Sequence, residues 1–272
     1  MLDGAARRPK CPPRHWTAKK LVRFGGESWA NVRLDNWIDQ RHLELAAQAA
    51  YAAAFASVPY SSVAIDDFLR AEKLGALQRV FSTEGRFEER YYLNRRLGNE
   101  THVKDEIVSP ALWHAAAEGE RASRERSFVG PLPTYRMGEG ILTMAKFLEL
   151  LGSPEFMDFL EAVTGIKPAT LGAYMMRIMS VGHYVRPHND SGPTRDLCGI
   201  FYLSPAWNPS FDGRFRHRGP GPGIVPIDPR PNRMLLFQPR VDCPHDVEPI
   251  GAAGAQWERW AYTLWFGKPA VL

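Results

Sequence analysis

The sequence predicts an α+β protein in which helices come first and an antiparallel, double-sheet barrel of the jelly-roll type follows. Residues 40–169 contain alanine-rich and amphipathic stretches with helical periodicity. From residue 170 onward, short apolar and aromatic runs alternate with Gly and Pro turns, which is typical of a sandwich or jelly-roll barrel. The sequence therefore predicts an N-terminal extension (1–39), a helical support region with a variable insertion (40–169) and a barrel core (170–268).

The composition is that of a protein with one large core. The chain has 272 residues, of which 44% are hydrophobic and 11% aromatic. A formal net charge of +4 is compatible with an anionic substrate, but it is too weak to predict nucleic-acid binding. Residues 1–14 form a basic, proline-containing tail that we expect to fray.

Cysteine usage and hydropathy bear on the location of the protein. Three cysteines without a CxxC pair indicate a reducing compartment. The basic N-terminus lacks the apolar segment of a secretory signal, and no stretch is apolar for long enough to cross a bilayer. We therefore predict a cytoplasmic protein without a membrane partner, and the sequence leaves its oligomeric state open.

The first half of the chain gives four clear elements and one obscure region. Residues 83–137 are charged and rich in turn residues, so we expect short helices and a long loop, either a substrate cover centred on 118–133 or a solvated insertion. The clear elements are a helix at 40–57, a strand at 62–65, a helix at 68–81 capped by Asp66 and Asp67, and a pair of helices within 140–165.

The second half is predicted to be strands. In residues 170–181 one face carries Tyr174, Met176 and Ile178, and the other carries Arg177 between two methionines. The remaining strand candidates are 197–203, 233–238, 245–250 and 260–266, with turns at 208–213 and 220–223.

Two histidines and an aspartate in this half form a pattern with chemical meaning. His188 and Asp190 are two residues apart, so on an extended strand they project to the same face. His245, from a distant strand, completes a set of two imidazoles and one carboxylate, the facial triad of non-haem Fe(II) oxygenases. An arginine after the second histidine could bind the distal carboxylate of a keto acid through two hydrogen bonds.

The order of these motifs resembles that of the 2-oxoglutarate- and Fe(II)-dependent dioxygenases, in particular the prolyl-4-hydroxylase-like branch. Within that branch it is most similar to the subgroup that includes hydroxylases of a ribosomal-protein proline. The resemblance covers about a hundred residues and depends on several motifs in a fixed order. They are His188-x-Asp190, Arg195 with the apolar strand 197–203, Pro205-Ala206-Trp207, the strand 232–237, His245-Asp246-Val247-Glu248-Pro249 and the strand 259–266.

This resemblance implies a double-stranded β-helix, or cupin-like, barrel with the N-terminal helices packed on it. It implies His188, Asp190 and His245 as iron ligands, and Arg259 as the residue that binds the C5 carboxylate of 2-oxoglutarate, with Thr263 on the same strand face. The implied cofactor is Fe(II), the implied co-substrates are 2-oxoglutarate and O2, and ascorbate is a further candidate.

The sequence departs from the family pattern at two points. Arg259 follows His245 by a longer interval than usual, with a Gly-Ala segment between them. The relatives usually have a tyrosine nine residues before the first ligand to hold the co-substrate, and here that position is Met179. Tyr184 and Tyr202 are the candidate substitutes.

Other interpretations of the charged residues remain open at this stage. Arg259 could be part of a salt bridge at the barrel rim, with Arg233 or Arg240 as the real carboxylate anchor. Arg195 could position a substrate or pair with a neighbouring acid. The basic cluster of Arg214, Arg216, His217 and Arg218 could face an acidic partner or simply be solvated.

The predicted function is hydroxylation of an unactivated C–H bond. The substrate would be a prolyl or amino-acid residue in a protein or peptide, a free amino acid, or a small natural product derived from an amino acid. The alternative is a non-catalytic jelly-roll binding protein that has kept its metal site.

Overall fold

The computed structural model describes residues 33–57, 60–96, 103–219 and 223–268. The predicted basic tail, residues 1–14, and most of the predicted extension lie outside these ranges, as do residues 220–222 of the predicted Pro/Gly turn. In the described part of the chain, no helix is long and apolar enough to cross a membrane.

The helices follow local signals in the sequence. Ser153 accepts a hydrogen bond from the Phe156 amide, and Pro154 occupies the first turn of the helix that follows. Gly165 ends this helix in the left-handed conformation, at φ 74°. The five α-helices of the described residues are α1 (Leu45–Ser57), α2 (Ala71–Arg79), α3 (Pro110–Ala115), α4 (Glu139–Leu151) and α5 (Pro154–Thr164).

The second helix begins three residues later than the predicted start at residue 68. Phe68 and Leu69 are buried, and their amides bond to the backbone oxygen and side-chain oxygen of Asn232, both at 2.9 Å. Asp66 does not cap the helix, because its carboxylate accepts a hydrogen bond from Arg233 Nη2 at 2.8 Å. The tertiary contact with Asn232 and Arg233 therefore holds this segment outside the helix.

Twelve strands in the described residues form one antiparallel sheet system. The strands are β1 (Ser62–Ile65), β2 (Gly85–Arg96), β3 (Val103–Val108), β4 (Arg121–Pro131), β5 (Thr170–Met179), β6 (Tyr184–His188), β7 (Leu197–Tyr202), β8 (Phe215–His217), β9 (Val225–Ile227), β10 (Arg233–Phe237), β11 (His245–Val247) and β12 (Arg259–Gly267). Their order is β1-β10-β7-β12-β5-β4-β6-β11-β8-β9, and the β2–β3 hairpin joins through β4. This is the nearly closed barrel of a double-stranded β-helix, with helices on one side, as predicted.

The two faces of the barrel strands have different partners. On β7, Leu197 and Phe201 belong to the large core that includes residues of α4 and α5. Cys198, Ile200 and Tyr202 alternate with them and face the barrel interior. The same alternation on β12 and β5 sends Arg259 and its inner-face neighbours into the interior, where the candidate site lies.

At 83–137 the expected short helices are present, but the expectation of a long loop is wrong. This region forms β2, β3, α3 and β4, and β4 bonds to β2, β5 and β6. The strand pattern was hidden because charged residues occur on both faces and pair across strands, as Arg124 does with Glu89 at 2.6 Å. Most of the proposed cover segment, residues 118–133, is a strand that pairs with three others, so this segment is part of the sheet and not a loop that covers the site.

Candidate active site

His188, Asp190 and His245 lie together at one end of the barrel interior. His188 ends β6 and pairs directly with His245 at the start of β11, and their ring centroids are 4.4 Å apart. Asp190 Oδ2 is 3.4 Å from His245 Nε2. One ligand atom from each residue can be chosen so that all lie within 4.8 Å of one another, a spacing that a single metal ion can bridge.

A bulge in β6 places both histidine rings on the inner face. Between the pairs Val185–Val247 and His188–His245, β6 has one more residue than β11. Because of this extra residue, Val185 and His188 both face inward, although they are three positions apart. The His188 Nδ1 lies 2.9 Å from the Arg186 carbonyl oxygen. Since a carbonyl only accepts, Nδ1 carries the proton and Nε2 keeps its lone pair for a metal.

The protonation states in the cluster suit metal binding. Burial by itself would raise the pKa of Asp190, but its hydrogen bond with His245 and the nearby histidine charges lower the pKa below its usual value. Burial lowers the pKa of His245, although Asp190 opposes this effect. A carboxylate and neutral imidazoles are the protonation forms that bind metal ions.

Neighbouring side chains hold the cluster in place. The ring of Phe215 stacks on His245 at 5.0 Å, and Phe237 meets it edge-on at 4.9 Å. Arg195 Nη1 donates to Asp190 Oδ1 at 3.0 Å, which leaves Oδ2 directed toward His245. The Arg195 guanidinium also lies 5.1 Å from the centre of the Trp265 ring. Arg195 therefore forms the internal ion pair that the sequence left open, and its partner is Asp190.

Arg259 is a buried cation whose Nε/Nη2 edge has no partner in the described part of the chain. It is 1% exposed and lies directly opposite Met179 in the β5–β12 register, with Nη1 3.7 Å from the Met179 sulfur. Its Nε and Nη2 have no hydrogen-bond partner among the described residues. Burial lowers the pKa of Arg259. A buried guanidinium with this edge unsatisfied is a site for an anionic ligand, because an unpaired buried charge is costly.

The structure distinguishes between the two candidate tyrosines. The Tyr202 ring lies 5.0 Å from the Arg259 guanidinium, and its buried hydroxyl has no partner among the described residues. Thr263 is buried on the same face of β12 as Arg259. Tyr184, in contrast, is next to the inward-facing Val185 and so projects to the other side of β6, where it pairs with Arg124 in the strand register.

The other arginines considered from the sequence are already engaged. Arg233 binds Asp66, and Arg240 binds Asp242 at 2.6 Å, so neither replaces Arg259. In the basic cluster, Arg214, Arg216 and Arg218 form ion pairs within the chain. Their acidic partners are Asp212, Asp228, Asp246 and Glu248.

Sequence reasoning missed a second charged pair inside the barrel. Arg177 Nη1 lies 3.1 Å from Glu125 Oε2, and Glu125 is 1% exposed. The signal for Arg177 was present, since an arginine alternated with Met175 and Met179 on one strand face. Glu125 has no comparable signal, because the charged residues of β4 hide the alternation that marks a strand.

Comparison with known proteins connects this geometry to a family. Residues 174–267, which contain all three members of the His–Asp–His cluster and Arg259, match the model of the 2OG-Fe(II) oxygenase superfamily. The part of the chain that contains the candidate site therefore matches this superfamily. No curated protein sequence matches the chain.

Solved structures of the 2OG-Fe(II) oxygenase superfamily share the fold. A prolyl hydroxylase from Trichoplax adhaerens, in complex with a hypoxia inducible factor oxygen degradation domain peptide fragment, is 18% identical with a TM-score of 0.51, and the match covers 84% of this chain and 92% of that one. A 2OG-Fe(II) oxygenase family oxidoreductase from Burkholderia pseudomallei is 16% identical with a TM-score of 0.52, covering 81% of this chain and 90% of that one. At these identities the likeness concerns the fold.

The chain is therefore a 2-oxoglutarate-dependent oxygenase that uses Fe(II), 2-oxoglutarate and O2. The side chains fit these groups. Two imidazoles and a carboxylate suit Fe(II), and the unpaired edge of Arg259 suits a carboxylate of the co-substrate.

Proposed function

We propose that this oxygenase hydroxylates an unactivated C–H bond of a prolyl or amino-acid residue, or of a small molecule derived from an amino acid. In this proposal His188, Asp190 and His245 are the iron ligands, and Arg259 with Tyr202 binds the C5 carboxylate of 2-oxoglutarate. The observation that carries it is that one barrel interior contains both the His–Asp–His cluster and a buried guanidinium whose Nε/Nη2 edge has no acceptor among the described residues.

The bound iron and co-substrates would supply the oxidation, and the residues of the chain would position them. Fe(II), with 2-oxoglutarate and O2, supplies an oxidation in which one oxygen atom enters the substrate as hydroxyl and the other enters succinate, with release of CO2. The protein orients the reactants and excludes water. Arg195 fixes Asp190 through Oδ1, and Phe215 and Phe237 fix the plane of His245.

In this proposal Arg259 and Tyr202 together replace the family's co-substrate-binding tyrosine, whose position is Met179 in this chain. A Met179 thioether is only a weak acceptor and donates no hydrogen bond to a carboxylate. The Tyr202 hydroxyl lies on the inner face next to Arg259, can donate a hydrogen bond, and has no partner within the described ranges. We assign the donor role to Tyr202 rather than to Tyr184, which lies on the other face of its strand.

The prolyl hydroxylase fold supports a prolyl or amino-acid substrate as the first class to test. The Trichoplax adhaerens structure contains a peptide fragment, which makes a proline-containing peptide one arm of the screen. The predicted division into a helical support region (40–169) and a catalytic core (170–268) remains a prediction, as does the cytoplasmic location.

The proposed function is tested by succinate formation from 2-oxoglutarate in the presence of Fe(II) and O2. Free amino acids and proline-containing peptides are supplied in parallel, and the mass of the product is checked for one added oxygen atom. His245→Ala should abolish turnover. His114→Ala, which removes an exposed histidine outside the barrel, is the matched control. Metal binding without any succinate formation would favour the non-catalytic binding protein instead.

A further inference from the structure

A second pair of opposite charges lies in the barrel wall between β4 and β5. Arg177 and Ser127 are direct cross-strand partners, and the Ser127 hydroxyl donates to Glu125 Oε1 at 3.1 Å. Arg177 Nη1 lies 3.1 Å from Glu125 Oε2. Glu125 is 1% exposed, and the Arg177 side chain is 14% exposed.

This pair faces the same barrel interior as the His–Asp–His cluster. Arg177 lies opposite Ala261 in the β5–β12 register. The neighbouring inner-face residues of β5 are Met179, which is opposite Arg259, and Met175, which is opposite Thr263. The charges are close enough to interact, since Arg177 lowers and Glu125 raises the pKa of Arg259, although burial has the larger effect. Arg177 is therefore on the inner face of β5 and is not completely buried.

The hydrogen-bonding capacity of this pair is only partly used. The Nη2 of Arg177 contacts the Met175 sulfur at 3.0 Å, a weak acceptor, and its Nε has no partner among the described residues. These two nitrogens form one edge of the guanidinium, the edge that binds carboxylates through two parallel bonds. Glu125 Oε2 is near Nη1 but is not aligned with it as a hydrogen bond, so it also retains accepting capacity.

We propose that Arg177, held in place by Glu125, binds the carboxylate of the primary substrate, and that this substrate is a free α-amino acid. The substrate carboxylate takes the Nε/Nη2 edge of Arg177, and the ammonium group approaches Glu125 Oε2. This inference rests on the proposed function, since it assigns the substrate class of the same site.

Charge balance favours this substrate class over the others. The pair has no net charge, so a zwitterion pairs both charges and leaves no excess charge in the interior. The co-substrate carboxylate already has its own cation, Arg259, with a corresponding unpaired edge. An internal residue of a peptide offers only a neutral amide, which makes weaker hydrogen bonds than a charged group.

The variant that tests this inference removes both charges at once. Arg177→Met alone would leave the buried Glu125 carboxylate without a neighbouring cation and could unfold the protein, so the double variant Arg177→Met/Glu125→Gln is used. The control is Arg124→Met/Glu89→Gln, which neutralises an ion pair on the other face of β4. In that pair Arg124 Nε lies 2.6 Å from Glu89 Oε1. Folding of each variant is checked by its unfolding temperature.

The assay compares substrates that differ only in their charged head group. Wild-type protein is given the free proteinogenic L-amino acids, their N-acetyl amides and a proline-containing peptide, and succinate is measured above the background without substrate. We expect stimulation by a free amino acid and none by its blocked form. In the inner double variant, kcat/KM for that amino acid should fall at least about tenfold, which corresponds to about 1.4 kcal/mol. The KM for 2-oxoglutarate should not rise, because Arg177 and Glu125 shift the pKa of Arg259 in opposite directions and both charges are removed together. The control variant should keep the wild-type kcat/KM for the amino acid.

Several results would overturn the assignment. A free amino-acid substrate is ruled out if only the peptide or the blocked amino acids stimulate succinate formation. It is also ruled out if no member of the panel stimulates succinate formation while 2-oxoglutarate is consumed in the background reaction. A rise in the KM for 2-oxoglutarate in the inner variant would assign Arg177 to the co-substrate. Unchanged kinetics in a folded inner variant would make the pair structural. If wild-type protein with Fe(II) consumes no 2-oxoglutarate at all, the proposed function itself fails, and this outcome is distinct from the others.

Discussion

Arg259 on β12 lies directly opposite Met179 on β5, and its Nη1 is 3.7 Å from the Met179 sulfur. A thioether neither neutralises a guanidinium nor competes strongly for its hydrogen bonds. The remaining edge of Arg259 is therefore available for a carboxylate, and Tyr202 is the nearby donor. This arrangement explains how the site can hold a co-substrate although the usual tyrosine position is a methionine.

Tyr202→Phe should weaken 2-oxoglutarate binding without reducing the stability of the protein. The hydroxyl has no partner among the described residues, so removing it should leave the ligand-free protein as stable as wild type or slightly more stable. The KM for 2-oxoglutarate should rise by about 3- to 10-fold, the value of one hydrogen bond of about 1 kcal/mol. Tyr262→Phe is the control, because its buried hydroxyl is also unpartnered but packs in the core shared with the helices. Steady-state kinetics and thermal unfolding provide the measurements.

Arg259→Ala should weaken co-substrate binding much more than iron binding. Hydrogen bonds to charged groups contribute about 1.5–3 kcal/mol, so the KM for 2-oxoglutarate should rise on the order of 10- to 100-fold. Arg259→Lys should recover part of this loss, because lysine restores the charge but not the two parallel bonds. Arg240→Ala, at an exposed pair with Asp242, should have no effect. The same phenotype in Arg240→Ala would place the co-substrate elsewhere.

Arg195→Gln should weaken Fe(II) binding while the protein remains folded. Arg195 holds Asp190 Oδ1 at 3.0 Å, and partners of metal ligands typically contribute about 10- to 100-fold to metal affinity. Titration with Fe(II) under anaerobic conditions measures the effect directly. The control is Arg126→Gln, at a partly exposed ion pair with Glu258. Unchanged affinity in Arg195→Gln would mean that Asp190 is positioned by the backbone alone.

His217 should make the protein less stable in acid. Burial, and then the charge of His245, lowers its pKa from 6.5 to about 3, so the unfolded chain takes up the proton first as the pH falls. Its contribution is complete above about pH 6.5 and decreases toward pH 3, with about 2 kcal/mol lost between pH 7 and pH 5.

His217→Phe tests this contribution without opening a cavity. The ring is enclosed by Tyr60, Phe215 and Phe237, so a phenylalanine fits the same aromatic surroundings. Urea unfolding at pH 7 and pH 5 should show a smaller pH-dependent loss in the variant. An identical loss in both proteins would mean that His217 is not the group responsible.

The sequence predicted correctly where its patterns were local and regular. The helices at 139–151 and 154–164 carry clear apolar periodicity, and Ser153 with Pro154 marks the start of the second. The strands at 170–179 and 259–267 are rich in apolar and aromatic residues. The expectation failed at β2 to β4, where charged residues satisfied by cross-strand ion pairs removed the alternation that marks a strand.

The sequence by itself determined which residue types are available for the site, and the tertiary structure decided which of these residues come into contact. The types and order of His188, Asp190, His245 and Arg259 were readable because metal ligation and carboxylate binding each require particular side chains. The choice of Tyr202 over Tyr184, and the pairing of Arg177 with Glu125, depended on the strand register and on one bulge in β6. Register sets which face a side chain occupies, and a shift of one residue reverses it, so contacts between distant strands cannot be read from the chain alone.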